Sequence, residues 1–92
     1  MQQITLQVIN EVGLHARPAA EFVKLAGEFK ADIQVRNLTR ASNVMDAKSI
    51  LSVLMLGVEK GHEIELTSSG EDEVQAIEAL RELIESDFAG KF

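Results

Sequence analysis

The spacing of apolar side chains alternates between two periods along this chain, and the order of the switches restricts the fold more than any other feature. Ile4, Leu6 and Val8 alternate with Thr5, Gln7 and Ile9, the period of a strand with one core face. Ala19, Phe22, Val23, Ala26 and Phe29 then share one helical face, with Glu21, Lys24 and Glu28 elsewhere, which predicts a helix over 16–29. Ile33 and Val35, between Asp32, Gln34 and Arg36, mark a second strand. Val44 and its neighbours give a weaker third, and Ile64 with Leu66 between Glu63, Glu65 and Thr67 a fourth. A short helix is expected over 47–56, capped by Asp46, with Ser49 in its first turn and Gly57 at the position after its C-cap. Val74, Ile77, Leu80, Arg81 and Ile84 set the stripe of a last helix, behind a capping-box spacing of Ser68 and Glu71. Strand, helix, strand, strand, helix, strand, helix fits an α+β two-layer fold with helices on one face of an antiparallel sheet. Spacing alone does not separate this topology from ferredoxin-like arrangements. No repeat or linker breaks the order, so the 92 residues are expected to form one domain.

Charge and composition remove several function classes. The net charge is −6, from 9 basic and 15 acidic residues with no Trp or Tyr, which argues against a nucleic-acid partner. Glu71, Asp72, Glu73, Glu78, Glu82, Glu85 and Asp87 crowd the last quarter and read as a solvated helix face. Without cysteine there is no disulfide scaffold or thiol chemistry. His62 opens a strand segment as a surface residue, with no Cys or Asp at metal spacing, so neither a metal nor a cofactor is expected. No signal-peptide pattern or membrane-length apolar run is visible, and the chain is expected to be cytoplasmic and not membrane-embedded.

Chemistry concentrates at Gly13-Leu14-His15-Ala16-Arg17-Pro18-Ala19-Ala20. Pro18 is the only proline; lacking an N–H and with φ fixed near a helical value, it belongs in a first helical turn. His15 then falls at about the N-cap, where the amides of Ala16 and Arg17 have no intrahelical acceptor and the dipole favours anions. Arg17 adds a fork of donors shaped for phosphate oxygens, and Gly13 permits the turn that delivers the segment. A neutral imidazole has one free lone pair and can act as a covalent nucleophile. Because the residue before a proline avoids the α region, Arg17 could instead be the cap, with the helix starting at Pro18. On spacing alone, the segment reads equally as the exposed start of an ordinary amphipathic helix.

Followed by Phe22-Val23, this segment closely resembles the active-site segment of the HPr family, the histidine-containing phosphocarriers of the bacterial phosphoenolpyruvate-dependent sugar phosphotransferase system. Asp46-Ala47-Lys48-Ser49-Ile50-Leu51 with Leu56-Gly57-Val58 resembles the family's second helix. Gly61-His62-Glu63-Ile64, then Gly70-Glu71-Asp72-Glu73 with Ala76, resemble its last strand and third helix. The resemblance covers nearly the whole chain in the family's order. It implies an open-faced sandwich of four antiparallel strands covered on one face by three helices. It also implies a carrier that accepts phosphate on His15, through Nδ1, from phosphorylated enzyme I and passes it to A-type domains of enzyme II. Arg17 then has the catalytic role beside His15, and Ala16, Arg17 and Pro18 form the phosphate-binding helix mouth. The carrier is expected to be a monomer and a second substrate of its flanking enzymes rather than a stand-alone catalyst.

Ser49 matches the serine that a dedicated ATP-dependent kinase phosphorylates in many Gram-positive members, which implies a serine kinase/phosphorylase and a transcriptional regulator as further partners. From the residues alone it is a routine helix-start serine. Six large apolar side chains between Ile50 and Leu56 exceed what one stripe buries, so Ile50, Leu51, Leu54 and Met55 are expected to contact partners together with Ala20 and Lys24. The stretch from Arg36 to Asp46 is longer than in many members, and Ser52 stands where many carry glycine; both departures bear on regulation. Two other readings fit the same residues: a carrier for a regulatory or dihydroxyacetone-kinase phosphorelay, and a binding module that is never phosphorylated.

Overall fold

A computed structural model describes residues 1–88. The elements follow the order β1 (Gln2–Gln7), α1 (Ala16–Ala26), β2 (Asp32–Asn37), β3 (Met45–Asp46), α2 (Ile50–Met55), β4 (Glu63–Ser69) and α3 (Glu73–Glu85). The four strands form one sheet in the order β1-β4-β2-β3, antiparallel throughout. In register, Ile4 faces Leu66, which faces Val35, and Leu6 faces Ile64, which faces Asn37. Period-two alternation thus sends one row of side chains under the helices, where they join Phe22 and Ala26 of α1, Val53 of α2 and Ile77, Leu80 and Ile84 of α3 in one buried cluster. The opposite face is open and polar: Glu65 at its centre accepts hydrogen bonds from Arg36 at 2.9 Å and Gln3 at 2.6 Å, and these, that from Arg36 foremost, hold its carboxyl below the usual range against desolvation.

Several local expectations need correction. The helix expected over 16–29 stops at Ala26, because after Gly27 the bonds tighten to three-residue spacing, Glu28 N to Leu25 O and Phe29 N to Ala26 O. The chain is then caught by Asp72, whose carboxylate accepts the amides of Lys30 and Ala31 at 2.9 and 2.8 Å. These bonds, that from Lys30 foremost, lower the Asp72 pKa against the opposing effect of desolvation. The third strand is Met45–Asp46, and Val44 lies exposed before it. Ala47 is not helical: its amide donates to Ile33 O at 3.0 Å and extends the sheet ladder. Ser49, not Asp46, is therefore the N-cap of α2; its Oγ accepts from Ser52 N at 3.3 Å, while Asp46 accepts the Lys48 amide at 2.9 Å. Ser68 caps nothing, since Ser68 and Ser69 complete β4; before α3 it is the Glu73 carboxylate that accepts the Gly70 amide at 3.0 Å. Val74 drops out of the α3 stripe and is exposed, and Ala76 takes the core position.

Candidate functional site

The segment around His15 is assembled from a turn, an anchor and a helix mouth. In the turn, Gly13 N donates to Asn10 O at 3.1 Å and Asn10 Nδ2 donates back to Gly13 O at 2.9 Å, leaving Glu11 and Val12 exposed at the tip. Gly13 has φ +62°, and a Cβ there would lie 2.1 Å from the Val58 carbonyl oxygen, so only glycine lets these backbones approach. The anchor is Leu14, fully buried, whose amide donates to that same Val58 oxygen at 3.0 Å. His15 emerges between this pin and the buried pair Pro18 and Ala19.

His15 is the N-cap of α1, with extended backbone at φ −122° and ψ 159°, which settles the register left open by the Arg17-Pro18 step. Its ring makes no capping bond to the helix and, among the described residues, no side-chain hydrogen bond elsewhere; it is half-buried. Ala16 follows with φ +50°, the left-handed region, which costs a non-glycine residue about 1–2 kcal/mol. Right-handed helix therefore begins only after Ala16, and the bend lies directly behind the imidazole. Arg17 is exposed and forms no ion pair among the described residues. Pro18, buried and without an amide hydrogen, shapes the mouth rather than donating into it. The carboxylate nearest His15 along the chain, Glu11, is paired with Lys60 at 2.7 Å, and this bond lowers its pKa. A ring nitrogen, a free guanidinium and the first helical amides thus share one exposed end of α1.

The residues expected to meet partners are accessible. Ala16, Ala20 and Lys24 recur at four-residue spacing along the exposed side of α1. On α2, Val53 and Leu56 enter the core, whereas Ile50, Leu51, Leu54 and Met55 are 43, 66, 39 and 68 % exposed. The half-buried Ser49 opens this helix.

His62 is not the plain surface residue expected. It precedes β4, is half-buried, and its Nδ1 lies 3.1 Å from Asn37 Nδ2 and 3.2 Å from the Glu59 amide nitrogen. Both groups are N–H donors, so Nδ1 is the acceptor and the neutral ring carries its proton on Nε2. Asn37, fully buried, also donates to Leu56 O at 3.1 Å and accepts the Arg40 amide at 3.2 Å, tying β2 and its hairpin to the end of α2. Neither Asn37 nor Arg40 stood out in the sequence; a polar residue at a core-facing strand position was the available signal for the first.

Among the described residues no cluster of three or more His, Asp or Glu could hold a metal ion, and no helix is long and apolar enough to cross a membrane. The concavities lined by Glu78, Arg81, Glu82, Glu85 and Ser86, and by Lys30, Glu71, Asp72 and Gln75, involve no residue of the His15 segment.

Comparison with known proteins converges on one family. Residues 2–86 match the family model described as the PTS HPr component phosphorylation site. The chain is 42% identical to the phosphocarrier protein HPr of Pseudomonas aeruginosa over 96% of both chains. It is 45% identical to the multiphosphoryl transfer protein of Haemophilus influenzae over 87% of its own length but only 16% of that much longer relative. The crystal structure of HPr-C-His from Thermoanaerobacter tengcongensis superposes with a TM-score of 0.93 at 41% identity, covering 100% of both chains.

Proposed function

The chain belongs to the HPr family of phosphotransferase-system phosphocarriers, and on that premise we propose that His15 is its phosphoryl acceptor, charged by phosphorylated enzyme I and discharged onto A-type domains of enzyme II. The observation that carries this reading is the imidazole at the N-cap of α1 next to Arg17, neither side chain having a hydrogen-bond or ion-pair partner among the described residues. The lone pair of the neutral ring, on Nδ1 as in the family, attacks phosphorus; the P–N bond to the donor breaks and its electron pair leaves with the donor nitrogen. Charge on the transferring oxygens meets the Arg17 guanidinium and the amides at the helix mouth, set in place before the reaction begins. Reversal of the same step hands the group to the next protein. The chain acts as a cytoplasmic monomer and requires no metal or cofactor.

The partner surface in this reading comprises Ala20 and Lys24 on α1 and Ile50, Leu51, Leu54 and Met55 on α2. Ser49 is its regulatory position. Phosphorylation there adds about −1.5 to −2 charges at the start of α2, next to exposed Ile50 and Leu51, and weakens docking to acidic partners.

Incubation with enzyme I and labelled phosphoenolpyruvate should give an acid-labile, base-stable label that chases onto an A-type domain and is absent in His15→Ala. An unlabelled wild-type protein would sink the carrier reading in favour of a module that only binds. With ATP and a cognate serine kinase, an acid-stable label should appear and vanish in Ser49→Ala; its persistence in that variant would move the regulatory site elsewhere.

A further inference from the structure

Asn37 shares the buried face of β2 with Ile33 and Val35, a position where an apolar side chain would leave no polar group to satisfy. Each polar atom of its side chain is nevertheless bonded. Nδ2 carries two hydrogens and lies 3.1 Å from both Leu56 O and His62 Nδ1, and Oδ1 accepts the Arg40 amide at 3.2 Å.

These bonds hold the two ends of the loop that joins α2 to β4. Leu56 O is its start; His62 is its end, where Nδ1 also accepts the Glu59 amide at 3.2 Å and the His62 amide donates back to Glu59 O at 3.0 Å. The same loop carries the His15 segment. Before the turn, Gly61 N donates to Val8 O at 2.7 Å and Val8 N to His62 O at 2.9 Å; after it, Leu14 N donates to Val58 O at 3.0 Å. The backbone bonds on both sides of the turn are thus made to residues 58–62. There is little slack between the two layers, since a Cβ on Gly13 would lie 2.1 Å from that Val58 oxygen.

We propose that Asn37 and His62 are a positioning pair for phosphoryl transfer: together they set the shape of the 56–62 loop, and the loop sets where the His15 ring stands against Arg17 and the helix mouth. This rests on the carrier reading above and adds to it two residues that bond to neither His15 nor Arg17. In-line transfer to a ring nitrogen depends on sub-ångström placement of the nucleophile, so a loosened loop lowers the rate of transfer rather than the affinity for the donor protein. His62 serves as a hydrogen-bond acceptor, its Nδ1 lone pair already occupied by two N–H donors. A buried polar side chain that ties three segments together gives a unique arrangement where an apolar one would give only packing.

The test is single-turnover transfer from phosphorylated enzyme I to the wild type, His62→Asn, His62→Leu and Asn37→Ala, with urea midpoints alongside. Asparagine at 62 places an amide oxygen close to where Nδ1 stands and keeps the acceptor; leucine removes it. His62 is half-buried, so both of its variants should fold. The rate at saturating enzyme I should fall about five- to tenfold in His62→Leu and no more than about twofold in His62→Asn, with the half-saturating concentration within about twofold of wild type in each. The Leu14 amide should exchange about tenfold faster in His62→Leu. Asn37→Ala should lose at least as much rate as His62→Leu; if it does not fold, the two His62 variants decide alone. A wild-type rate in folded His62→Leu overturns the proposal and leaves the carrier reading standing, as does an equal loss in His62→Asn or a change confined to the half-saturating concentration. Absence of label on the wild type overturns both.

Discussion

Gly13 and Gly57 share a φ of +62°, yet their surroundings differ in a way that makes their alanine variants a matched pair. Left-handed backbone costs alanine about 1–2 kcal/mol at either site. At Gly57 the new Cβ meets the Arg40 guanidinium, the far end of a flexible side chain that can swing into solvent, so the loss should stay near that value. At Gly13 it meets fixed backbone, the Val58 oxygen at 2.1 Å and Glu59 Cα at 2.7 Å. The turn must withdraw, which breaks the 3.0 Å bond from Leu14 N to Val58 O and unseats fully buried Leu14. An unsatisfied buried group adds about 1–3 kcal/mol, bringing Gly13→Ala to about 2–5 kcal/mol. With a urea m-value of about 1–1.5 kcal/mol/M, its midpoint should fall about 2 M below that of Gly57→Ala. Circular dichroism in urea reads this directly. Phosphoryl acceptance should fall with it, because the displaced turn carries His15. Midpoints within about 0.5 M of each other would refute the argument that backbone contact, rather than φ alone, demands glycine at Gly13.

Ser49→Ala removes the N-cap of α2 and should cost about 1 kcal/mol, whereas Asp46→Ala, which leaves the Ser49–Ser52 bond in place, should lose less of this helix's protection in amide exchange. Leu51→Glu and Met55→Glu should leave stability within about 0.5 kcal/mol, because both side chains are already exposed, while raising KM for enzyme I; an unchanged KM would remove α2 from the docking surface. Backbone bonds, that from Lys30 foremost, depress the Asp72 pKa, the Arg36 and then the Gln3 bond depress that of Glu65, and the N-terminal ammonium foremost depresses that of Glu73. Folded values below unfolded ones mean a contribution complete above the unfolded carboxylate pKa of about 4 and lost as pH falls through the folded values. The urea midpoint should thus be flat from neutrality to about pH 5.5 and fall below about pH 4.5, and Asp72→Asn should flatten that acid limb; an identical limb in the variant would refute the clamp between the α1–β2 loop and α3.

The strands and helices whose apolar residues repeat with clean periods were legible, and so was a helix start within one turn of His15, because Pro18 is tolerated in only a few helical positions; whether His15 or Arg17 caps it was not. What the sequence hid depends on long-range partners. Asp72 looks like one of several acids before α3, and only the fold brings the Lys30 and Ala31 amides to its carboxylate. Ala47 has helical propensity but is claimed by the Ile33 carbonyl, and this leaves Ser49 to cap α2. Asn37 and His62 are far apart along the chain and become a buried polar junction only when β2 and β4 pair. The Ala16 bend is invisible in sequence, since alanine gives no sign of a positive φ.

The chain's two histidines, one uncommitted and one locked into that junction, make the central claim directly measurable. Ring-nitrogen NMR of the uniformly 15N-labelled protein, before and after incubation with enzyme I and phosphoenolpyruvate, should show a phosphorus-coupled nitrogen at His15 and an unaltered His62 ring with its proton on Nε2. Coupling at His62, or two unmodified rings after full turnover of the donor, would contradict it.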